Sequence, residues 1–206
     1  MHARSTTVQA RPESIDAGVA YVRDEATPTL LEAAGCTGLS MLVHRTSGRC
    51  IITSAWPSEA ALCAGDERLR PLHDRVAEIL GGAPEVEDWE IAVVHRDHTS
   101  KAGACVRVVW VRIPPEEADH SVDLYRMVLL PEICEFEGFC SASLLVDRSS
   151  GYAVSSVTFD GHDAMRRTRR LAAVVRTEGV REASGEILEV DEFELALAHL
   201  QVPEMA

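Results

Sequence analysis

The residues of this 206-residue chain best equipped for redox or metal chemistry are its six cysteines, and their spacing argues against both roles. Cys36, Cys50, Cys63, Cys105, Cys134 and Cys140 include no C-x-x-C pair and no histidine at the interval of a zinc site, and most lie inside apolar runs. Buried reduced thiols are therefore expected, and no metal site. Four arginines in five residues, Arg166-Arg167-Thr168-Arg169-Arg170, could grip an anionic ligand or an acidic segment through their planar guanidinium groups. The same run also reads as a solvated helix face answering nearby carboxylates, since 33 Asp+Glu stand against 20 Lys+Arg for a net charge of −13. That charge repels a phosphate backbone, so no nucleic-acid partner is expected. With 46% apolar residues but no run approaching the roughly 20 of a membrane span, the chain reads as a soluble, folded, cytoplasmic protein with no membrane partner.

The elements that must position these residues occur twice. Gly35–Leu62 lies over Gly138–Met165 at a constant offset of 103, with identities that include Gly35/Gly138, Ser40/Ser143, Leu42/Leu145, Arg45/Arg148 and Gly48/Gly151. Upstream the offset pairs Pro12/Pro115, Arg23/Arg126 and Pro28/Pro131, and downstream a one-residue shift pairs Glu85/Glu189, Glu90/Glu194 and His95/His199. The reading is a first unit over 1–98 and a second over 99–206, joined by a polar linker at about 96–103. Charge divides evenly between them: 9 basic and 15 acidic side chains in the first, 11 and 18 in the second, or −6 and −7.

Within each unit the hydrophobic period changes in a fixed order. Thr6–Arg11 and Val106–Ile113 are β-branched runs closed by proline, as strands often are. Ile15, Val19, Val22, Ala26, Leu30 and Ala33 then recur at helical spacing, as do Ala118, Val122, Tyr125, Leu129, Ile133 and Phe136. Pro28 and Pro131 interrupt that helix at equivalent places. Two strands follow, Leu39–His44 and Arg49–Trp56, around a turn whose Gly48 suits a positive φ. A second helix begins near Ser58 or Gly161, and last strands cover Val86–Val94 and Leu188–Leu197. The order βαββαβ, twice over, predicts an α+β fold of two tandem ferredoxin-like units, each a four-stranded antiparallel sheet with helices on one face. Strands such as CVRVVWV are apolar on both faces, which predicts that each sheet is covered twice, the other unit being the natural cover.

Trp56-Pro57-Ser58-Glu59-Ala60-Ala61-Leu62, preceded by the strand Cys50–Ala55 and by Gly35, resembles the motif of the antibiotic biosynthesis monooxygenase domain family, within the dimeric α+β barrel superfamily. The second unit keeps the plan but has Phe159 for Trp56, Gly161 for Ser58 and His162 for Glu59. Family members usually pair two single-domain chains into a barrel. The resemblance thus implies an intramolecular dimeric α+β barrel, a pseudo-dimer within one chain that could associate further as a homo-oligomer. It also implies a pocket between sheet and helices, placed by the motif in the first unit, where dioxygen oxidises a small apolar, aromatic or quinol-type molecule without metal or flavin.

Such chemistry needs a polar group that deprotonates the substrate, and histidine is suited to it near neutrality. His73, on the second helix of the first unit, is the candidate base; its counterpart is Arg176. Trp56 is a candidate pocket wall, and His44 and Cys63 are candidate ligand contacts. Core packing, a solvated turn and an acidic exposed face are the competing structural roles. A superfamily subset degrades haem with an axial histidine on this helix, a tryptophan about ten residues before it and an asparagine on the first strand. His73 matches the histidine, but Cys63–Gly65 fall where the tryptophan belongs, and the strand offers Thr7 and Gln9. No cofactor is expected, with haem binding by His73 as a minor alternative. A non-catalytic ligand-binding or protein-interaction module on the same fold is the competing function.

Overall fold

The computed structural model of the chain describes residues 1–32, 35–200 and 203–205, and the side chains of these except at 66–68 and 200. Ala33, placed on the first helical face by its spacing, lies outside the described residues. The chain divides into two compact α+β units, Met1–Trp89 with Glu194–Val202 and Glu90–Phe193 with Pro203–Ala206.

The first unit is built from β1 (His2–Gln9), α1 (Ile15–Tyr21), α2 (Thr27–Glu32), β2 (Gly38–His44), β3 (Arg49–Trp56), α3 (Glu59–Leu80) and the start of β4 (Pro84–Arg96). Its sheet runs β1-β3-β2 and then the end of β8 (Glu186–Leu200), every pair antiparallel. β1 starts earlier than its β-branched run: His2–Ser5 pair with Trp56–Thr53, because the ladder uses main-chain groups that every residue carries. The hairpin glycine is obligatory. Gly48 has φ +82° and a Cβ there would lie 2.2 Å from the Ala10 carbonyl oxygen. α1 does not break before Pro28 but widens into a π-type turn over Val22–Ala26. Proline cannot donate and crowds the preceding turn, and the Thr27 hydroxyl donates to the Val22 carbonyl at 2.6 Å. Ser58 caps α3 by accepting from the Ala61 amide at 3.1 Å, and Gly81, φ +81°, ends it.

The second unit contains β5 (Cys105–Arg112), α4 (Ala118–Leu124), α5 (Leu130–Cys134), β6 (Phe139–Asp147), β7 (Tyr152–Phe159), α6 (His162–Arg167) and α7 (Arg169–Glu182). Its sheet runs β5-β7-β6 and then the end of β4, again antiparallel. A π-type turn at Tyr125–Leu129 stands before Pro131. The second long helix is broken at Thr168, whose hydroxyl donates back to the Met165 carbonyl at 2.9 Å. No helix among the described residues is long and apolar enough to cross a membrane.

The compact units do not coincide with the segments 1–98 and 99–206. Each takes the far end of its fourth strand from the other segment. In the first unit Arg45 Nη1 meets Asp16 at 2.8 Å and Nε meets Glu194 of β8 at 2.6 Å. In the second, Arg148 meets Asp119 and Glu90 of β4, both at 2.6 Å. Repeat alignment assigns those glutamates the other way round; since β4 and β8 carry the same alternating glutamates, either could serve either sheet edge.

Candidate functional site

In the second unit β5, β7 and β6 and the helices α4, α5 and α7 line a cavity of about 110 Å³, taken as the space open to the centre of a water molecule. Its walls are almost wholly apolar: Val109, Val157 and Leu144 from the strands, Val122, Leu129 and Val175 from the helical side. A hydrocarbon cavity of roughly 150 Å³ holds benzene, so this one is on the scale of a single aromatic ring.

The pocket expected in the first unit is only about 20 Å³ there, room for about one water. The reason lies in side-chain volume at positions 103 apart. Leu80, fully buried, corresponds to Ala183, Val76 to Gly179, Leu72 to Val175, Ile52 to Ser155 and Trp56 to Phe159. Leu80 fills the first unit so tightly that a Cβ on Gly18 would lie 2.3 Å from its Cδ2. In the second unit Tyr125 and Leu129, replacing Val22 and Ala26, return part of that volume and leave the rest open.

The polar groups at the cavity differ in how far they are satisfied. Arg107, 4% exposed, is committed: Nη2 donates to the Met165 carbonyl at 2.6 Å and to Glu192 at 3.0 Å, and the guanidinium lies 5.4 Å from the Phe159 ring centre. Tyr125 shares a 3.0 Å hydrogen bond with Ser155, and burial pushes its phenol up to about 12, so it stays neutral. Arg176 Nε and Ser121 Oγ are buried with no hydrogen-bond partner. Burial, with the nearby charge of Arg107, holds the Arg176 guanidinium below its ordinary value, opposed by Glu192. It is a partly desolvated cation beside an apolar cavity, and an oxygen acceptor of matching shape relieves that cost. No histidine or carboxylate is among the lining residues described.

The sequence candidates are dispersed. His73 lines the small first-unit cavity beside Arg4 and Thr6. Trp56 is not among the residues lining that cavity; it is core, 1% exposed, with its indole N–H donating to Ser54 at 3.0 Å and its ring covering Gly65. His44 Nδ1 accepts from the Ser47 amide at 3.0 Å, a role in the hairpin turn. Cys63 is exposed on α3 and lines neither cavity. A space of about 20 Å³ beside His73 does not fit a haem. Of the arginine run, Arg166 pairs with Asp163, Arg167 with Glu137 and Arg169 with Glu192, as a solvated face does. What sequence reading missed was Arg176, visible only as the counterpart of His73; the signal that would have found it is the loss of volume at Ala183 and Gly179.

No family model matches the sequence. Two proteins of Mycobacterium tuberculosis strain H37Rv match along the whole chain: Uncharacterized protein Rv2557, 54% identical over 205 residues, and Uncharacterized protein Rv2558, 50% identical over 206. The matches cover 100% of this chain and 92% and 87% of theirs. The chain belongs to their family. Among solved structures, a candidate monooxygenase of Fusobacterium nucleatum superposes with a TM-score of 0.71 at 12% identity, over 97% of this chain and 94% of that one. An anthrone oxidase-like protein gives 0.63 at 16%, over 100% and 95%. A haem-degrading enzyme of Listeria monocytogenes gives 0.55 at 12%, over 95% and 99%. At these identities the likeness shows the fold, an α+β fold shared with monooxygenase-like proteins.

Proposed function

We propose that this protein binds a small single-ring aromatic molecule carrying a phenolic or anionic oxygen, in the cavity of its second unit. The observation that carries the reading is Arg176: a partly buried guanidinium, its Nε unpartnered, beside a ring-sized apolar space. The ring replaces void with dispersion contacts, and the oxygen accepts from Arg176, with Ser121 as a further donor. Calorimetric titration of the whole protein with hydroquinone, benzoate and toluene tests it. Both oxygen-bearing rings are expected to bind more tightly than toluene, and a protein that binds none of the three, or toluene best, contradicts the reading.

A second reading, oxygenation of the bound ring by dioxygen, is favoured by the monooxygenase-like and oxidase-like neighbours. Among the residues described, the cavity supplies no general base, so the role of Arg176 is to stabilise the oxyanion of a substrate acidic enough to ionise. Oxygen uptake with a quinol panel separates catalysis from binding alone. The same reading takes the chain as a duplicated ferredoxin-like unit that makes internally the barrel pairing of its family. Supporting it are strands apolar on both faces and element bounds that recur 103 residues apart, as β1 and β5 and β3 and β7 do.

A further inference from the structure

A separate cluster in the second unit lies outside the residues lining the apolar cavity. His98, which follows β4, Cys140 on β6 and Asp160, one residue past β7, bring one donor atom each within 4.8 Å of the others. His98 Nε2 is 3.2 Å from Cys140 Sγ and 2.9 Å from Asp160 Oδ1, and Sγ is 3.3 Å from that same oxygen. The main chain holds the three segments together without help from these side chains. The Asp97 and His98 amides donate to the Cys140 carbonyl at 2.9 and 3.3 Å, and the Asp160 amide donates to the Gly138 carbonyl at 2.8 Å. His98 Nδ1 meets Asp97 Oδ2 at 2.7 Å, which turns Nε2 toward the other two donors. A carboxylate behind an imidazole in this way is how metal-ligating histidines are oriented.

We propose that His98, Cys140 and Asp160 form a site for a zinc-class divalent transition-metal ion, with Asp97 as the positioning residue of His98 and a fourth coordination position open to water or a small ligand. One sulfur, one nitrogen and one oxygen suit a borderline-soft ion; calcium and magnesium take oxygen ligands. Tetrahedral zinc bonds of about 2.0–2.3 Å place ligand atoms roughly 3.3–3.8 Å apart, so the donors need open by only ~0.5 Å. Cys140 is buried while Asp160 is exposed, so the site has a protein floor and a solvent mouth. A nucleophilic Cys-His-Asp triad is disfavoured, since burial and the Asp160 carboxylate push the Cys140 thiol up to about 12, away from an activated thiolate. At the equivalent positions the first unit has Thr37 and Pro57, so the site has no duplicate there.

Cobalt(II) titration of the whole protein, followed through the thiolate-to-cobalt charge-transfer band, tests the proposal. One equivalent is expected to develop the band, and zinc(II) to displace it. His98→Gln, Asp160→Asn and Cys140→Ser should each weaken binding at least tenfold, and Cys63→Ser, which alters an exposed thiol elsewhere, should change nothing. Absence of the band in the wild-type protein, or an unchanged band in both His98→Gln and Asp160→Asn, overturns the proposal. Those two variants alter partly exposed side chains and remain decisive if Cys140→Ser does not fold.

Discussion

Arg176 and His73 occupy equivalent positions 103 residues apart, and the contrast between them shows what residue types alone can disclose. A search for a base selects histidine because it titrates near neutrality, yet His73 faces little more than the volume of one water. Arg176 is unremarkable by type and gains significance from the space beside it, which sequence does not record. Two neighbouring groups give residue-scale predictions. Tyr125→Phe removes the 3.0 Å hydrogen bond to Ser155, and urea denaturation should show a loss of about 1 kcal/mol with the fold intact. Glu192 is raised by burial but lowered more by Arg169 and Arg107, so its folded value lies below the ordinary carboxylate range. A depressed carboxylate contributes stability that is fully present above its unfolded value, near pH 4, and is lost as pH falls through the folded value. Thermal unfolding of wild type and Glu192→Gln should therefore differ at neutral pH and converge in acid; a constant difference would contradict this.

At the scale of elements, the periodicities foretold helices, strands and hairpins to within a few residues, because each rests on a local pattern that a sequence displays. Whether a helix closes a filled or a hollow space depends on single volumes at its buried face. α3 ends in Leu80 over Gly18; α7 is followed by Ala183, with Ser121 at the position of Gly18. Ala183→Leu alone should destabilise the protein, because the new side chain meets Ser121. The double variant Ser121→Gly/Ala183→Leu restores the first unit's arrangement. It should abolish aromatic binding and leave stability within ~1 kcal/mol of wild type or above it, as measured by calorimetry and denaturation. The end of α7 offers a simpler test. Ser184 holds φ +53° where the first unit has Gly81, so Ser184→Gly should stabilise by ~1 kcal/mol. Arg11, whose guanidinium a Cβ on Gly81 would strike at 2.5 Å, is replaced in the second unit by Pro114, which leaves a serine room there.

For the whole molecule, the sequence displays similar segments 103 residues apart but not which compact unit receives the end of each last strand. β4 and β8 each begin in one compact unit and end in the other, and their alternating glutamates suit either edge. Because each unit needs chain from both segments, thermal unfolding should follow one cooperative transition, and segments 1–98 and 99–206 expressed apart should not fold; two resolved transitions, or two folded halves, would contradict that. The metal cluster was hidden for a related reason: His98, Cys140 and Asp160 are 42 and 20 residues apart in sequence, and only the pairing of β6 with β4 and β7 gathers them. In the proposed complex Arg176 anchors the ligand of the second-unit cavity. The most direct measurement is calorimetric titration of wild type and Arg176→Met with benzoate and with toluene. Benzoate should bind the variant at least tenfold more weakly while toluene binds both alike, showing the cavity intact; equal benzoate affinity in the two proteins would contradict it.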